Sequence, residues 1–235
     1  ILISADYNQI EMRILADMAD VKELKNAFTN KEDIHSLTAS QVFNVPLKKV
    51  DENLRRKAKT INFGIIYGIT QYGLAKQISV SNEEASEFIN SYFKRFPEIK
   101  EYMQSTVKFC RKNGYVNNIF GRRINLRGIN DKNFNVRSFQ ERSAINAPIQ
   151  SSAADIIRIV MIKIKELIDS KKIYNAKMLL QIHDELVFEC SKVNRESVEK
   201  IVKKTMESVS SSDYHMFSIP LDVNISSGDN WGEAH

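Results

Sequence analysis

The sequence predicts an α+β fold, in which a small, mostly antiparallel sheet is backed by helices and carries an inserted helical subdomain. Strand-like patterns occur near both ends of the chain, as a short apolar run at residues 1–3 and as an alternating run at 221–225. An apolar hairpin pattern occupies residues 178–188. Between these segments, residues 20–112 follow the helical period almost throughout.

Composition limits the class of protein. The chain has 235 residues, of which 43% are hydrophobic and 27% charged, and this balance excludes disordered and collagen-like chains. No apolar run approaches the roughly 20 residues of a membrane-spanning helix. Cys110 and Cys190 form neither a CxxC pair nor a Cys/His group, so neither a zinc site nor a disulfide framework is predicted. We expect a reducing compartment, the cytoplasm, with an organelle as the alternative.

The first half of the chain contains clear element signals. Residues 1–3 predict a buried strand that delivers Asp6 at its end, and a helix follows from about residue 8. Ser81 and Glu84 predict a capping box at the start of a later helix. Gly114 predicts the end of the helix that begins near residue 98.

The second half returns to mixed structure. Strand character reappears at residues 115–126. Ser152 and Asp155 resemble a second capping box, which predicts that a long amphipathic helix begins there. The hairpin pattern puts residues 183–185, the triplet His-Asp-Glu, at or beside its turn. A helix at residues 194–209 and a half-buried final strand complete the order.

Positive charge is clustered along the chain, although the net charge is only +5. Residues 54–59 read LRRKAK, and residues 108–127 contain six basic side chains and no acidic one. Such clusters attract phosphate backbones. A solvated helix face or a lysine-rich composition explains the charge equally well.

Two aspartates stand at strand ends. Either Asp6 or Asp184 alone is more typical of backbone hydrogen bonding than of chemistry. If their strands are neighbours in one sheet, however, the carboxylates converge and require a cation. Two hard divalent ions held there would suit phosphoryl transfer.

One predicted helix carries two cations and two aromatic rings on the same face. The four side chains follow each other at steps of four residues, and they are Arg55, Lys59, Phe63 and Tyr67. Such a face matches a nucleoside triphosphate. The alternative is that the rings belong to the core, but Ala58, Ile61 and Ile65 already supply an apolar face elsewhere on this helix.

Four segments together resemble the family A DNA polymerases. DYNQIEMR at 6–13 is similar to motif A of that family, RRKAKTINFGIIYG at 55–68 to motif B, ERSAINAPIQSSAAD at 141–155 to its primer–template segment, and QIHDELVFE at 181–189 to motif C. The resemblance implies a palm at residues 1–18 and 137–235 with fingers at 19–136. It also implies that a thumb and an exonuclease-type domain, which precede motif A in the family, are absent from this chain.

The resemblance implies roles for the acidic residues. Asp6 and Asp184, with the backbone carbonyl of Tyr7, would hold two Mg²⁺ ions, and Glu185 would be a further carboxylate outside that ligand set. The catalytic set would also include Lys59, which would protonate the departing pyrophosphate.

The remaining predicted residues would bind the nucleotide and the DNA. Glu11 would exclude a ribose 2′-hydroxyl; His35, which the sequence alone indicates to be a surface residue, would help to grip the triphosphate. The nucleotide-binding set comprises Gln9, Glu11, His35, Arg55, Lys59, Phe63 and Tyr67. The DNA-binding set comprises Arg122, Arg123, Arg142, Asn146, Gln150 and His183.

The function that this resemblance implies is DNA-directed DNA synthesis in replication or repair. A dNTP would be added to a primer 3′-hydroxyl by two-metal nucleotidyl transfer, with primer–template DNA as partner and a nucleoid-associated location. A single-subunit RNA polymerase is the nearest alternative, and Glu11 and Phe63 argue against it. A non-catalytic nucleic-acid-binding fragment that lacks the thumb is the alternative from another class.

Overall fold

A computed structural model describes residues 1–173, 175–212 and 215–235, and for Ser211 and Ser212 only the backbone. Helices and antiparallel strands are mixed along the chain, so the predicted α+β class is confirmed. The strands are β1 (Leu2–Tyr7), β2 (Tyr115–Asn117), β3 (Arg123–Asn125), β4 (Ala176–Ile182), β5 (Glu185–Cys190), β6 (Ser211–Ser212), β7 (His215–Met216) and β8 (Val223–Gly228).

The helices vary from one turn to ten. The longest contains Pro148 in its interior. The helices are α1 (Ile10–Met18), α2 (Lys22–Thr29), α3 (Ile34–Val42), α4 (Glu52–Ile66), α5 (Gln71–Ile78), α6 (Asn82–Arg95), α7 (Pro97–Asn113), α8 (Phe134–Asp169), α9 (Arg195–Glu207) and α10 (Trp231–Ala234). Among the described residues, none of these helices has the length and apolar composition needed to cross a membrane.

The described chain divides into two compact units. The sheet unit comprises Ile1–Ile14 and Ser151–His235, and the helical unit comprises Leu15–Gln150. Helices α1 and α8 each contribute residues to both ranges.

The sheet unit is built on an antiparallel sheet with the strand order β4-β5-β1-β8. Side chains of β1 alternate between its two faces. Ile3, Ala5 and Tyr7 are buried on one face, while Ser4 and Asp6 lie on the other. Apolar side chains of α8 and α9 complete the buried core of this unit, namely Ile156, Ile157, Val160, Ile164, Val198, Val202 and Met206.

The helical unit contains α2 to α7, the β2–β3 hairpin and the start of α8. Helices α3, α4 and α5 begin at side-chain caps, which are Asp33, Asp51 and Thr70 respectively. The capping box of Ser81 and Glu84 at α6 is present, as predicted. The apolar faces pack into a core that includes Leu24, Phe28, Ile34, Ile61, Ile65, Tyr92 and Phe96.

The differences from the predicted boundaries that bear on the sites concern α8 and β1. The prediction that a helix begins at Ser152 is wrong, because α8 begins at Phe134 and Ser152 lies inside it, fully buried. The Ser-x-x-Asp spacing also occurs within helices, and here Asp155 forms an ion pair with Arg158 one turn later. Asp6 lies within β1 rather than after it.

Candidate active site

The carboxylates of the sheet unit meet through strand register. Strands β1 and β5 are antiparallel neighbours, and Asp6 is the residue directly opposite Glu185. Asp184 lies in the turn between β4 and β5, and its carbonyl oxygen accepts a hydrogen bond from the Tyr7 backbone N–H at 3.4 Å. Strand β1, which contains Asp6, and strand β5, which follows Asp184, are therefore neighbours in one sheet, as the predicted shared site requires.

Asp6, Asp184 and Glu185 form a carboxylate cluster in which burial and mutual repulsion make the ionised form of Asp6 and of Asp184 less favourable. Burial, followed by repulsion from Asp184 and Glu185, raises the pKa of Asp6 to about 6. Burial is also the largest cause of the raised pKa of Asp184, and the charge of Glu185 adds to it. A bound cation would remove both penalties, so the electrostatics of this site favour a metal ion.

Glu185 is held by other protein groups. Its Oε1 accepts hydrogen bonds from Ser4 Oγ at 2.7 Å and from Trp231 Nε1 at 3.2 Å, and His235 Nδ1 lies 3.5 Å from Oε2. These contacts require α10 to approach the end of β8. Gly228 permits this, because a Cβ there would meet the backbone carbon of Glu233 at 2.8 Å.

The turn after β1 is fixed by a buried arginine. Arg13 is 3% exposed; its guanidinium donates to the Asn8 and Pro220 carbonyl oxygens at 2.8 and 2.7 Å and to Asp222 Oδ2 at 2.7 Å. The hydroxyl of Tyr7 donates to the Met206 carbonyl at 2.7 Å. The Tyr7 side chain therefore points into the core, and its main-chain carbonyl is the group that could bind a metal.

Two further predicted residues follow this turn. Gln9 adopts a left-handed backbone conformation, with φ of 54°. Glu11 lies in the first turn of α1, where the positive end of the helix dipole favours an acidic side chain.

The donor set fits magnesium. In the described part of the chain, no three His, Cys, Asp or Glu side chains are grouped so as to hold a metal by themselves. Mg²⁺ usually takes one or two protein carboxylates and completes its octahedron with water and substrate phosphate oxygens. Asp6 and Asp184 with the Tyr7 carbonyl are a set of that kind.

The predicted basic face of the helical unit lies on α4. Ala58 and Ile61 are fully buried and turn the opposite face inward. Lys59, Phe63 and Tyr67, the last of these at the helix end, line an open groove of about 740 Å³. Arg142 and Gly68 also line this groove, so a residue of the predicted DNA-binding set lies beside residues of the predicted nucleotide-binding set.

Arg55 begins the same face but has carboxylate partners within the chain. Its Nε lies 2.5 Å from Asp33 Oδ2, and its NH1 lies 3.6 Å from Glu52 Oε1. The hydrogen bond to Asp33 is the largest cause of its raised pKa. Arg55 is half-exposed, so a phosphate could compete for it.

His35 is buried, so the expectation from sequence alone that it lies on the surface is wrong. It is 2% exposed because α3 packs on α4. Its ring lies 5.8 Å from the Phe63 ring, centroid to centroid, and its Nδ1 lies 3.0 Å from Asn62 Nδ2. Burial lowers the pKa of His35 to about 4, which leaves the ring neutral at pH 7.

The other predicted DNA-binding residues lie in three places. Arg122 and Arg123 are exposed on the β2–β3 hairpin, and the Arg123 guanidinium lies 3.9 Å from the centre of the Tyr115 ring. His183 is exposed in the β4–β5 turn with φ of 53°.

The third place is the surface of α8. Asn146 lies one turn after Arg142, and its Oδ1 is buried with no hydrogen-bond partner among the described residues. Gln150 is exposed one turn further on.

Sequence reasoning missed the residues that support these sites. Ser4 could have been predicted from the sequence, because it precedes Asp6 by two residues on a strand and therefore lies on the same face of the sheet. Arg13, Trp231 and His235 had no local signal, since their contacts depend on how distant segments pack.

Comparison with known proteins identifies relatives along the whole chain. Residues 1–233 match the family model described as DNA polymerase family A. The chain is 48% identical over 235 residues to DNA polymerase I of Rhizobium leguminosarum and 45% identical over 234 residues to that of Caldicellulosiruptor bescii. The two alignments include 100% of this chain but only 23% and 27% of the relatives. The chain therefore spans about a quarter of their length.

A solved structure is similar as well. It is the POL domain of Pol1 from M. smegmatis in complex with DNA primer-template and dNTP, with a TM-score of 0.92 and 40% identity. The match covers 99% of this chain and 40% of that one. The family model, the relatives and the solved structure agree, and the chain belongs to DNA polymerase family A.

Proposed function

We propose that this member of DNA polymerase family A carries the catalytic part of a DNA-directed DNA polymerase, with the sheet unit as palm and the helical unit as fingers. It would add a dNTP to a primer 3′-hydroxyl and release pyrophosphate. The observation that carries this proposal is the β1–β5 register, which places Asp6 opposite Glu185 and beside Asp184. The solved relative bound to primer-template and dNTP supports the choice of substrates.

In the sheet unit, Asp6, Asp184 and the Tyr7 carbonyl would hold the metal ions. Two Mg²⁺ ions bound there would lower the pKa of the primer hydroxyl and neutralise charge on the pyrophosphate. Glu185 is already engaged by Ser4 and Trp231, so we assign it to orienting the site rather than to binding the metal directly. Arg13 would keep the Tyr7–Asn8 backbone in place.

In the helical unit, the α4 face would bind the nucleotide. Lys59 would contact the phosphates and donate a proton to the leaving pyrophosphate as the bond from the α-phosphorus to its bridging oxygen breaks. Arg55 would exchange part of its contact with Asp33 for phosphate oxygens, and His35 would donate a hydrogen bond to them. Phe63 and Tyr67 would contact the sugar and the template-side base pair.

Selection among nucleotides and positioning of the DNA would fall to the remaining residues. Glu11, with Gln9 beside it, would exclude a ribose 2′-hydroxyl. The DNA contacts would hold backbone position rather than read sequence, as is usual for phosphate and sugar contacts. They comprise Arg122, Arg123, Arg142, Asn146, Gln150 and His183.

Primer extension by this chain tests the proposal. With Mg²⁺, dNTPs and a primer–template at low salt, we expect single-nucleotide extension that Asp184→Ala abolishes, by about a thousandfold or more, since a metal-binding carboxylate is lost. Asp229→Ala is the matched control, because Asp229 is exposed in the same unit and pairs with Lys192. Salt-sensitive DNA binding without extension by the wild-type chain would instead favour the non-catalytic fragment.

A further inference from the structure

The helical unit buries a row of three polar side chains between α3 and α4. Thr38 and Asn62 are fully buried, and His35 is 2% exposed. Burying such groups costs free energy unless each finds a hydrogen-bond partner. An apolar trio would fill the same space without this requirement, so the polar row calls for a reason beyond packing.

The donors and acceptors in this row determine where the His35 proton lies. Thr38 Oγ1 donates to Asn62 Oδ1 at 3.1 Å, which directs the amide nitrogen of Asn62 toward His35. That nitrogen lies 3.0 Å from His35 Nδ1. An amide nitrogen can only donate, so Nδ1 must accept and cannot carry a proton. The proton of the neutral imidazole is then on Nε2.

We propose that Thr38 and Asn62 are positioning residues that hold His35 as the Nε2–H tautomer, whose N–H donates to a phosphate oxygen of the incoming nucleotide. This inference rests on the proposed nucleotide-binding function of the α4 face. Thr38 and Asn62 act through His35 and need not touch the nucleotide themselves. With the other tautomer, His35 would present a lone pair to the phosphate, which is repulsive.

The charged surroundings favour a neutral ring. Among the described charged groups, Asp33 favours the protonated form of His35, whereas Arg55 and Lys59 disfavour it. The carboxylate of Asp33 is directed elsewhere: it accepts the His35 backbone N–H at 3.0 Å and pairs with Arg55. Protonation at Nδ1 would also break the hydrogen bond from Asn62. Burial, the two cations and this bond therefore all oppose the imidazolium.

The first test is the tautomer itself. We would record ¹⁵N spectra of the histidine rings in the labelled chain at pH 7, with His35→Gln to assign the His35 signals among the four histidines. We expect one unprotonated nitrogen, at Nδ1, and one protonated nitrogen, at Nε2. A protonated Nδ1, or a mixture of tautomers in the wild-type chain, would overturn the proposal.

The second test separates the hydroxyl of Thr38 from its shape. Thr38→Val keeps the volume but removes the donor to Asn62, so the amide can turn over and the His35 signals should show both tautomers. Thr38→Ser keeps the hydroxyl and should restore the single Nε2–H form. Circular dichroism checks that both variants fold. Identical ring spectra for Thr38→Val and the wild type would contradict the role of Thr38.

The third test links the tautomer to the nucleotide. Titration of dATP onto the chain with primer–template should give about three- to tenfold weaker binding for Thr38→Val, and wild-type binding for Thr38→Ser. If only His35→Leu weakens binding, the positioning proposal fails while the proposed function stands. If His35→Leu also binds dATP as the wild type does, the nucleotide contact of His35 is itself wrong, although extension that depends on Asp184 would still support the polymerase.

Discussion

The sheet unit and the helical unit organise charge in opposite ways. In the sheet unit, Asp6, Asp184 and Glu185 lie on paired strands and the adjoining turn, and the pKa of Asp6 rises to about 6 because of burial and, to a smaller extent, repulsion from the other two carboxylates. In the helical unit, Arg55 already has carboxylate partners, and His35 is buried as a neutral ring.

The difference follows from what holds each set of side chains. Strand register is fixed by backbone hydrogen bonds along β1 and its neighbours, so it can impose repulsion between carboxylates. The long side chains on a helix can rotate toward opposite charges instead. A bound cation would therefore relieve the repulsion among the carboxylates of the sheet unit, whereas Arg55 in the helical unit would have to exchange its present carboxylate partners for those of a ligand.

Among the substitutions that test this difference between the two units, we expect the largest effect from Lys59→Ala. Lys59→Ala should raise KM for dNTP about 30-fold, since a charge-assisted contact of about 2 kcal/mol to phosphate is lost. Lys57→Ala is the control, because Lys57 is two residues away on the same helix and points to another face. Steady-state primer extension measures both. Equal effects of the two substitutions would mean that general positive charge, rather than the α4 face, binds the triphosphate.

The buried neutral ring of His35 predicts a pH dependence. Its folded-state pKa of about 4 lies below the ordinary value of 6.5, so the unfolded chain binds the proton first as the pH falls. The free energy of unfolding should therefore decrease between pH 6.5 and 4, with about 1 to 2 kcal/mol from His35 after allowance for solvent screening. Urea unfolding of the wild type and of His35→Leu measures the difference; parallel pH profiles would contradict it.

The smallest expected effect tests the repulsion in the sheet unit. In buffer with a chelator at pH 7, Asp6→Asn should raise the free energy of unfolding by about 1 kcal/mol, because an ionised carboxylate that the folded state disfavours is removed. Mg²⁺ should then stabilise the wild type but not the variant. Asp229→Asn, whose carboxylate has a lysine partner, should give no such gain. A loss of stability in Asp6→Asn would show that the cluster is not repulsive.

The sequence was sufficient wherever a periodic pattern carried the information. The four-residue steps of α4 predicted which of its side chains share a face, and the apolar runs on either side of residues 183–185 predicted the hairpin. The Ser81 capping box was predicted because its two hydrogen bonds are local. Each of these features depends on residues within about two turns or one hairpin of each other.

What the sequence could not predict depends on contacts between distant segments. Trp231 reaches Glu185 across 46 positions, and no local pattern marks that pair. His35 is buried only because α3 packs on α4, which hydrophobic periodicity alone does not specify. The start of α8 was misplaced because Ser152 and Asp155 have the spacing of a capping box, yet the helix begins at Phe134 and continues through Pro148.

The close approach of α10 to β8 at Gly228 has a practical consequence for handling the protein. His235 stands at the last position of the chain with its ring 3.5 Å from Glu185 Oε2. A polyhistidine tag fused directly after it would place imidazoles beside the carboxylate cluster; imidazoles bind transition metals such as Ni²⁺ and Zn²⁺, and ions held there could be mistaken for ions bound by the carboxylates. Metal titrations are therefore best made with a cleavable tag, removed before the measurement.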